Sequence, residues 1–264
     1  MKKINSFIFK FYQTYFKDNF LKKNKKNMKK AIILLSGGLD SATISAIAKS
    51  QDYELFGLSF YYGQRHEIEI DCAKKIAKFF NFKEHKIAKI DLKIFGNSAL
   101  TDDIEVPKSN HPYFENIQDD LRPTPITYVP ARNTIFLSYA LAYGEVLKAF
   151  DIFIGINSID YSGYVDCRKE FIDAFTNLAN LATDVTVKNN AKFNIHAPLV
   201  NMDKKTIITT GLNLGVDYSL THSCYDPKII NGKVYSCARC DSCRIRLNGF
   251  KNANASDKIL YQLK

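Results

Sequence analysis

No run in the sequence approaches the roughly 18 consecutive apolar residues that a membrane-spanning helix needs, so a soluble, cytoplasmic protein with no membrane partner is expected. Residues 1–27 also make a poor secretory signal, since they begin basic but contain neither a clean apolar core nor a small-residue cleavage site. Of the six cysteines, Cys72 and Cys167 stand apart, while Cys224, Cys237, Cys240 and Cys243 are crowded at metal-ligand spacing. Without a signal peptide, that distribution implies a reducing compartment and argues against a disulfide framework. Nothing repeats internally. What remains is an ordinary globular composition, 46% hydrophobic and 24% charged over 264 residues, enough chain for a sizeable core.

The net charge of +10 would suggest a nucleic-acid partner, but its distribution does not. Residues 1–27 carry eight lysines against Asp18, a net +7, which leaves +3 for the other 237 residues. The body is therefore close to neutral, and no obligatory nucleic acid is expected. Met28 opens MKKAIILLSGG, which reads as a natural protein start, so 1–27 is expected to be a misassigned start or a disordered basic arm. Its interleaved Phe, Tyr and Lys would also suit an arm that binds RNA or a membrane surface.

From Met28 onward, short aliphatic runs alternate with longer helical stretches, the pattern of a parallel sheet with crossover helices. Strands are expected at Ala31–Leu35, Glu54–Phe60, Lys86–Ile90, Asp151–Ile156 and Phe193–Leu199. Helices are expected over Ser41–Lys49, Glu67–Phe80, Asn133–Leu147 and Arg168–Ala182, with a last one capped by Asp203 and running to about Leu212. Five prolines between Phe95 and Pro130 predict a long irregular loop, of the kind that is usually functional. The chain divides into an α/β body, 28–220, and a C-terminal segment, 221–264.

Between the first strand and first helix stands Ser36-Gly37-Gly38-Leu39-Asp40-Ser41. Two glycines let backbone N–H groups approach an anion, the helix N-terminus adds favourable dipole, and two serines add hydroxyl donors, so the loop is a phosphate cradle. It lacks the Gly-Lys-Ser/Thr ending of a Walker loop, whose lysine reaches the β- and γ-phosphates. It therefore suits the pyrophosphate part of ATP while a nucleophile attacks the α-phosphorus, with Asp40 available to hold Mg²⁺. The expected nucleotide-binding stretch is Leu35, Ser36, Gly37, Gly38, Leu39, Asp40, Ser41, Ala42, Thr43, Ile44 and Ser45.

Cys224-x12-Cys237-x2-Cys240-x2-Cys243 supplies four thiolates, with Asn231-Gly232 offering a turn that returns the first to the others. Four sulfurs close a tetrahedral Zn²⁺ shell and leave no open position, so the metal would be structural. An iron–sulfur cluster is the alternative, and His222 reads as a neighbour rather than a ligand.

The Ser-Gly-Gly-x-Asp-Ser loop resembles the signature of the PP-loop ATP pyrophosphatases, which implies release of AMP and pyrophosphate and an adenine nucleotide α-hydrolase-like (Rossmann-like) parallel sheet flanked by helices, here with a small zinc-binding segment. Four further stretches narrow the likeness. They are Tyr62-Gly63-Gln64-Arg65-His66, Val129-Pro130-Ala131-Arg132-Asn133, Tyr161-Ser162-Gly163-Tyr164-Val165-Asp166-Cys167-Arg168, and Ser223-Cys224-Tyr225 leading into the cysteines. Together they are similar to the 7-cyano-7-deazaguanine synthase family of queuosine precursor biosynthesis, from about Lys30 to Phe250. Ala131 stands where that family commonly has glycine, Thr206 where a glutamate often follows the lysine, and the first cysteine spacing is longer.

The resemblance implies a ligase forming carbon–nitrogen bonds from 7-carboxy-7-deazaguanine, ammonium and ATP, and leaves homodimerisation open. The residues expected to serve the chemistry are Ser36, Asp40, Arg132 and Lys204. Arg65, Tyr161, Tyr164, Asp166 and Arg168 are expected to contact the deazapurine, offering aromatic faces, an acid for its N–H edge and a cation for its carboxylate. Bland readings stand beside these: Arg65, Arg132 and Lys204 as solvated charges, Asp166 as the cap of its own helix, His66 as structural rather than a proton shuttle. Cys72 reads as helix core, and Cys167 either packs or carries sulfur, as a tRNA-thiolating enzyme of the same superfamily would require. A non-enzymatic zinc-ribbon module is opposed by the length and the nucleotide loop. No room remains for a glutaminase domain, which points to free ammonium as nitrogen donor.

Overall fold

The computed structural model describes residues 28–64, 67–108, 124–159 and 163–262. Arg65, His66, Tyr161 and the basic stretch 1–27 lie outside the described residues. Five strands, β1 (Lys30–Leu34), β2 (Glu54–Tyr61), β3 (Glu84–Lys89), β4 (Asp151–Phe153) and β5 (Asn194–His196), form one sheet in the order β3-β2-β1-β4-β5. All four pairings are parallel, with Ile32 of β1 opposite Phe56 on one side and Ile152 on the other. Parallel neighbours need crossovers, which α1 (Leu39–Ser50), α2 (Ile68–Phe79), α3 (Arg132–Leu147) and α4 (Lys169–Leu181) supply. After these come α5 (Asp184–Asn189), α6 (Lys204–Asn213), a hairpin of β6 (Lys228–Ile230) and β7 (Lys233–Tyr235), and α7 (Asp241–Asn252). The parallel sheet flanked by helices that the sequence leads one to expect is the one observed.

The continuous apolar run in β1 follows from burial of both faces. Ile32 and Leu34 join Phe56, Leu58, Leu137 and Phe175 on one side, while Ala31, Ile33 and Leu35 join Leu55, Ile76, Ile207 and Phe250 on the other. The edge strand β3 instead exposes Glu84, Lys86 and Lys89, charges that discourage pairing with another chain. Phe250, from the 221–264 segment, shares its core with β1 and α6, so that segment and the 28–220 body are built on common packing.

Two expected strands are shorter than their apolar runs. The run Asp151–Ile156 leaves the ladder after Phe153, and Phe193–Leu199 pairs only over Asn194–His196. Val200 N–H closes a turn onto the Ala197 carbonyl at 3.2 Å, and Asn157 Nδ2 donates to the Leu199 carbonyl at 3.1 Å, tying the two departures together. Asp203 caps α6 as expected, its Oδ1 accepting from Thr206 N–H at 2.8 Å. The strand order reverses between β1 and β4, and the loops that leave their carboxyl ends diverge there, the place where open α/β sheets present a crevice.

Candidate nucleotide cleft and metal centre

β1 delivers the chain to the carboxyl edge of the sheet, where the glycine loop begins. Gly37 has φ of 86°, and a Cβ there would lie 2.1 Å from the Glu69 carbonyl oxygen, so a side chain is excluded twice over. Ser36 Oγ donates to Ser41 Oγ at 3.1 Å, Ser41 Oγ donates to the Gly38 carbonyl at 3.0 Å, and Gly38 N–H donates to Ser36 Oγ at 3.2 Å. These bonds fold the loop over the start of α1. The first-turn N–H groups of that helix have no intrahelical acceptor, and its dipole presents positive charge there.

A cleft of about 220 Å³ opens beside the loop, lined by Leu35, Ser36, Gly38, Leu39, Asp40 and Ser41. Of the other residues expected at the nucleotide, Gly37 shapes the loop, while Ala42, Thr43, Ile44 and Ser45 are buried in the packing of α1. Thr43 Oγ1 meets Tyr218 Oη at 2.8 Å, and Ser45 Oγ donates to the Ser41 carbonyl at 2.7 Å. Lys204 reaches the cleft from the first turn of α6, buried along its stem, and its Nζ donates to both Asp40 oxygens at 2.8 and 3.0 Å. Arg132 opens α3 and lines the same cleft, its guanidinium 5.9 Å from the Tyr62 ring. The preceding Ala131 is left-handed, with φ of 54°, which accounts for the expectation of glycine at that position.

The stretch 164–168 divides. Tyr164 lines the cleft, its Oη 2.6 Å from Thr127 Oγ1. Asp166 is buried behind it: Oδ2 accepts the Asn133 N–H at 3.1 Å, and Asn133 Nδ2 donates to the Asp166 carbonyl at 3.1 Å. Asp166 therefore satisfies the start of α3. The reading of it as cap of its own helix is corrected, because Arg168 holds the N-cap position of α4. Arg168 is exposed, donating from Nε to the Val165 carbonyl at 3.1 Å, and neither it nor Asp166 lines the cleft. Cys167 does line it, but burial pushes its thiol up to about 12, so it stays protonated. Cys72 is core, as expected, its thiol pushed up to about 11 by burial.

Two charged cleft residues escaped the sequence reading. Glu69, the second residue of α2, lines the cleft, and burial raises its carboxyl to about 7 while nearby Arg132 opposes the shift. Its position eight residues after β2 is no signal by itself; only the fold brings it to the sheet edge that carries the glycine loop. Arg246 of α7 is the other. Its Nε and Nη2 grip the Asp257 carboxylate at 2.7 and 2.9 Å, Nη1 donates to Thr221 Oγ1 and Ser223 Oγ, and Nη2 also reaches the Tyr218 carbonyl. Such a hub has no local signature, since its partners lie 11 to 28 positions away.

The sulfurs of Cys224, Cys237, Cys240 and Cys243 lie within 4.8 Å of one another, all four residues buried. A tetrahedral thiolate shell with metal–sulfur bonds of ~2.3 Å has sulfurs ~3.8 Å apart, which this grouping accommodates. Backbone N–H groups of Asp226 and Cys237 donate to Cys224 Sγ at 3.3 and 3.1 Å, and those of Arg239 and Cys240 to Cys237 Sγ at 3.4 and 3.3 Å. Donors converging on sulfur favour the thiolate form that a metal requires. The hairpin turn at Asn231 and Gly232, both with positive φ, returns the chain from Cys224 to Cys237 as expected. His222 is buried beside the cluster, its Nε2 3.0 Å from the Cys224 carbonyl, and stands outside the four-sulfur group.

A family model described as queuosine biosynthesis protein QueC matches residues 30–254, a span holding both walls of the cleft and all four clustered cysteines. The 7-cyano-7-deazaguanine synthase of Desulfatibacillum aliphaticivorans is 52% identical over 238 residues, covering 90% of this chain and 99% of that protein. Those of Kineococcus radiotolerans and Geobacter sulfurreducens are 55% and 53% identical, each over 88% of this chain and covering 97% and 93% of the relative. From its glycine loop to its last helix, the chain belongs to the queuosine biosynthesis protein QueC family.

Proposed function

We propose that this protein converts 7-carboxy-7-deazaguanine and ammonium into 7-cyano-7-deazaguanine, consuming ATP and releasing AMP and pyrophosphate. The observation that carries the reading is the convergence of the glycine loop, Lys204 and Arg132 on one cleft beside the β1/β4 switch point. The product is the one in the names of its relatives.

A carboxylate has no leaving group, so its oxygen attacks the α-phosphorus of ATP and becomes an acyl adenylate. Ammonia displaces AMP, the amide oxygen attacks a second ATP, and loss of the second AMP leaves the nitrile. Both activations set an oxygen nucleophile against the same phosphorus, which lets one cleft serve twice. Ser36, the first-turn N–H groups of α1, Lys204 and Arg132 hold the departing pyrophosphate, so catalysis is chiefly positioning and charge neutralisation. Mg²⁺ bound with the nucleotide supplies further positive charge there. Asp40 is the carboxylate that would hold it, with the Lys204 Nζ alongside as a further positive charge for phosphate oxygens.

Tyr164 offers the deazapurine an aromatic wall, with Arg65 and Tyr161 as further contacts. Asp166 acts from behind, fixing Asn133 next to Arg132. Arg168, at the start of α4, is the outermost candidate. Zinc is the metal proposed for the four cysteines, in a structural role, within the cytoplasm and without a nucleic-acid or membrane partner. The thiolation alternative needs a reactive Cys167 thiolate, which its raised pKa disfavours.

Incubation with ATP, Mg²⁺, ammonium and 7-carboxy-7-deazaguanine should yield nitrile, AMP and pyrophosphate by mass spectrometry. ADP and phosphate instead would overturn the mechanism, and turnover only with tRNA and a sulfur donor would favour thiolation.

A further inference from the structure

A small side pocket of about 20 Å³ is walled by Tyr62, Gln64, Glu69, Leu100, His222 and Tyr225, together with Cys224. All of these except Gln64 and Cys224 also line the nucleotide cleft, so the two spaces share a wall. A water-sized guest needs about 10–15 Å³ on this measure, so the side pocket suits one such molecule and excludes a nucleobase or phosphate.

Its chemistry is that of a small cation. Two carboxylates line the cleft, Asp40 and Glu69, and the first has both oxygens engaged by Lys204. Among the described residues no hydrogen bond reaches the Glu69 carboxylate. Gln64 does not compete for a guest, because its Oε1 accepts the Tyr62 N–H at 2.7 Å and its Nε2 donates to the Phe60 carbonyl at 3.2 Å.

We propose that this side pocket is the ammonium site of the reaction proposed above, and that Glu69 accepts the proton ammonium must lose to become a nucleophile. The inference rests on that reading of the reaction. Ammonium passes one proton to the Glu69 carboxylate, and the freed lone pair forms the C–N bond at the acyl carbon of the adenylate. The C–O bond to AMP then breaks, its electron pair leaving on the phosphate oxygen, and the nitrogen gives a second proton to solvent to leave the amide. A carboxyl held near 7 by burial, facing Arg132 and Tyr62, can take up and release that proton around neutral pH.

The test varies ammonium chloride against the full-length protein at saturating ATP, Mg²⁺ and 7-carboxy-7-deazaguanine. In parallel it follows carboxylate-dependent ATP–pyrophosphate exchange without ammonium. Glu69→Gln should raise the ammonium KM by about 10- to 100-fold, the loss expected for a charged hydrogen bond, while leaving the exchange close to wild type. Glu69→Asp should recover part of that loss, and Leu100→Phe, which fills the pocket, should raise the ammonium KM in the same direction. An ammonium KM within about threefold of wild type in Glu69→Gln, with exchange intact, overturns the proposal. If the Gln variant does not fold, the Asp variant decides alone: its shortened carboxylate must raise the ammonium KM. Absence of exchange in the wild-type protein would instead overturn the adenylylation reading beneath it.

Discussion

The glycine loop and the C-terminal wall face one cleft, but they are held in different ways. Ser36 and Ser41 close the loop with bonds spanning five positions, whereas Lys204 reaches Asp40 across 164 and Arg246 gathers Tyr218, Thr221, Ser223 and Asp257. The loop is a local structure whose function lies in its backbone. The opposite wall consists of side chains that exist as a site only once the fold is complete. Damage to the loop should therefore cost activity at little cost in stability, and damage to the wall should cost both.

The largest expected effect is on the wall. Arg246→Met strands the buried Asp257 carboxylate, which should destabilise by ~3–5 kcal/mol and lower the melting temperature by about 10 °C, read by thermal and urea unfolding. A loss under ~1 kcal/mol would mean that the tail following α7 rearranges freely, and the contrast between the walls would weaken. Lys204→Met keeps the stem but removes the charge that links the halves. Steady-state AMP release should fall by about 10²- to 10³-fold in kcat/KM, the loss typical of removing one donor to transition-state charge.

Glu69 allows a sharper test because its expected effect depends on pH. Its folded carboxyl sits at about 7 against an ordinary 4.5, so the folded protein keeps a proton that the unfolded chain releases between those values. Stability should fall as pH rises through that window and level off above it. Glu69→Gln cannot titrate, so its melting temperature should gain on wild type from pH 4.5 towards 7, measured by scanning calorimetry; parallel curves would remove the raised carboxyl. The smallest effect is at Ala131. Glycine relieves the left-handed backbone, and Ala131→Gly should stabilise by up to ~1 kcal/mol, or ~2–4 °C.

The same contrast explains what was legible beforehand. The strand–loop–helix of 31–50, the buried β1 and the Asp203 cap follow from patterns within a few residues, and they stand as read. The hairpin turn and the cysteine grouping were legible because their spacing is itself the signal. By contrast, α7 was hidden because cysteines and arginines obscure its apolar face, and the six-residue α5 lacks any buried residue to mark it. Asp166 shows what a motif leaves out: its place beside Tyr164 suggests a contact with substrate, and nothing local indicates that its carboxylate accepts from Asn133, on a helix 33 positions earlier. Glu69 was overlooked for a related reason, since nothing around it in sequence reveals that β2 and the glycine loop bring it to the cleft.

The central claim is that one cleft activates a carboxylate oxygen at the α-phosphorus. Substrate carrying ¹⁸O in its carboxylate tests this directly. The account predicts ¹⁸O in the phosphate of AMP, with pyrophosphate unlabelled. Label in inorganic phosphate, accompanied by ADP, would contradict it.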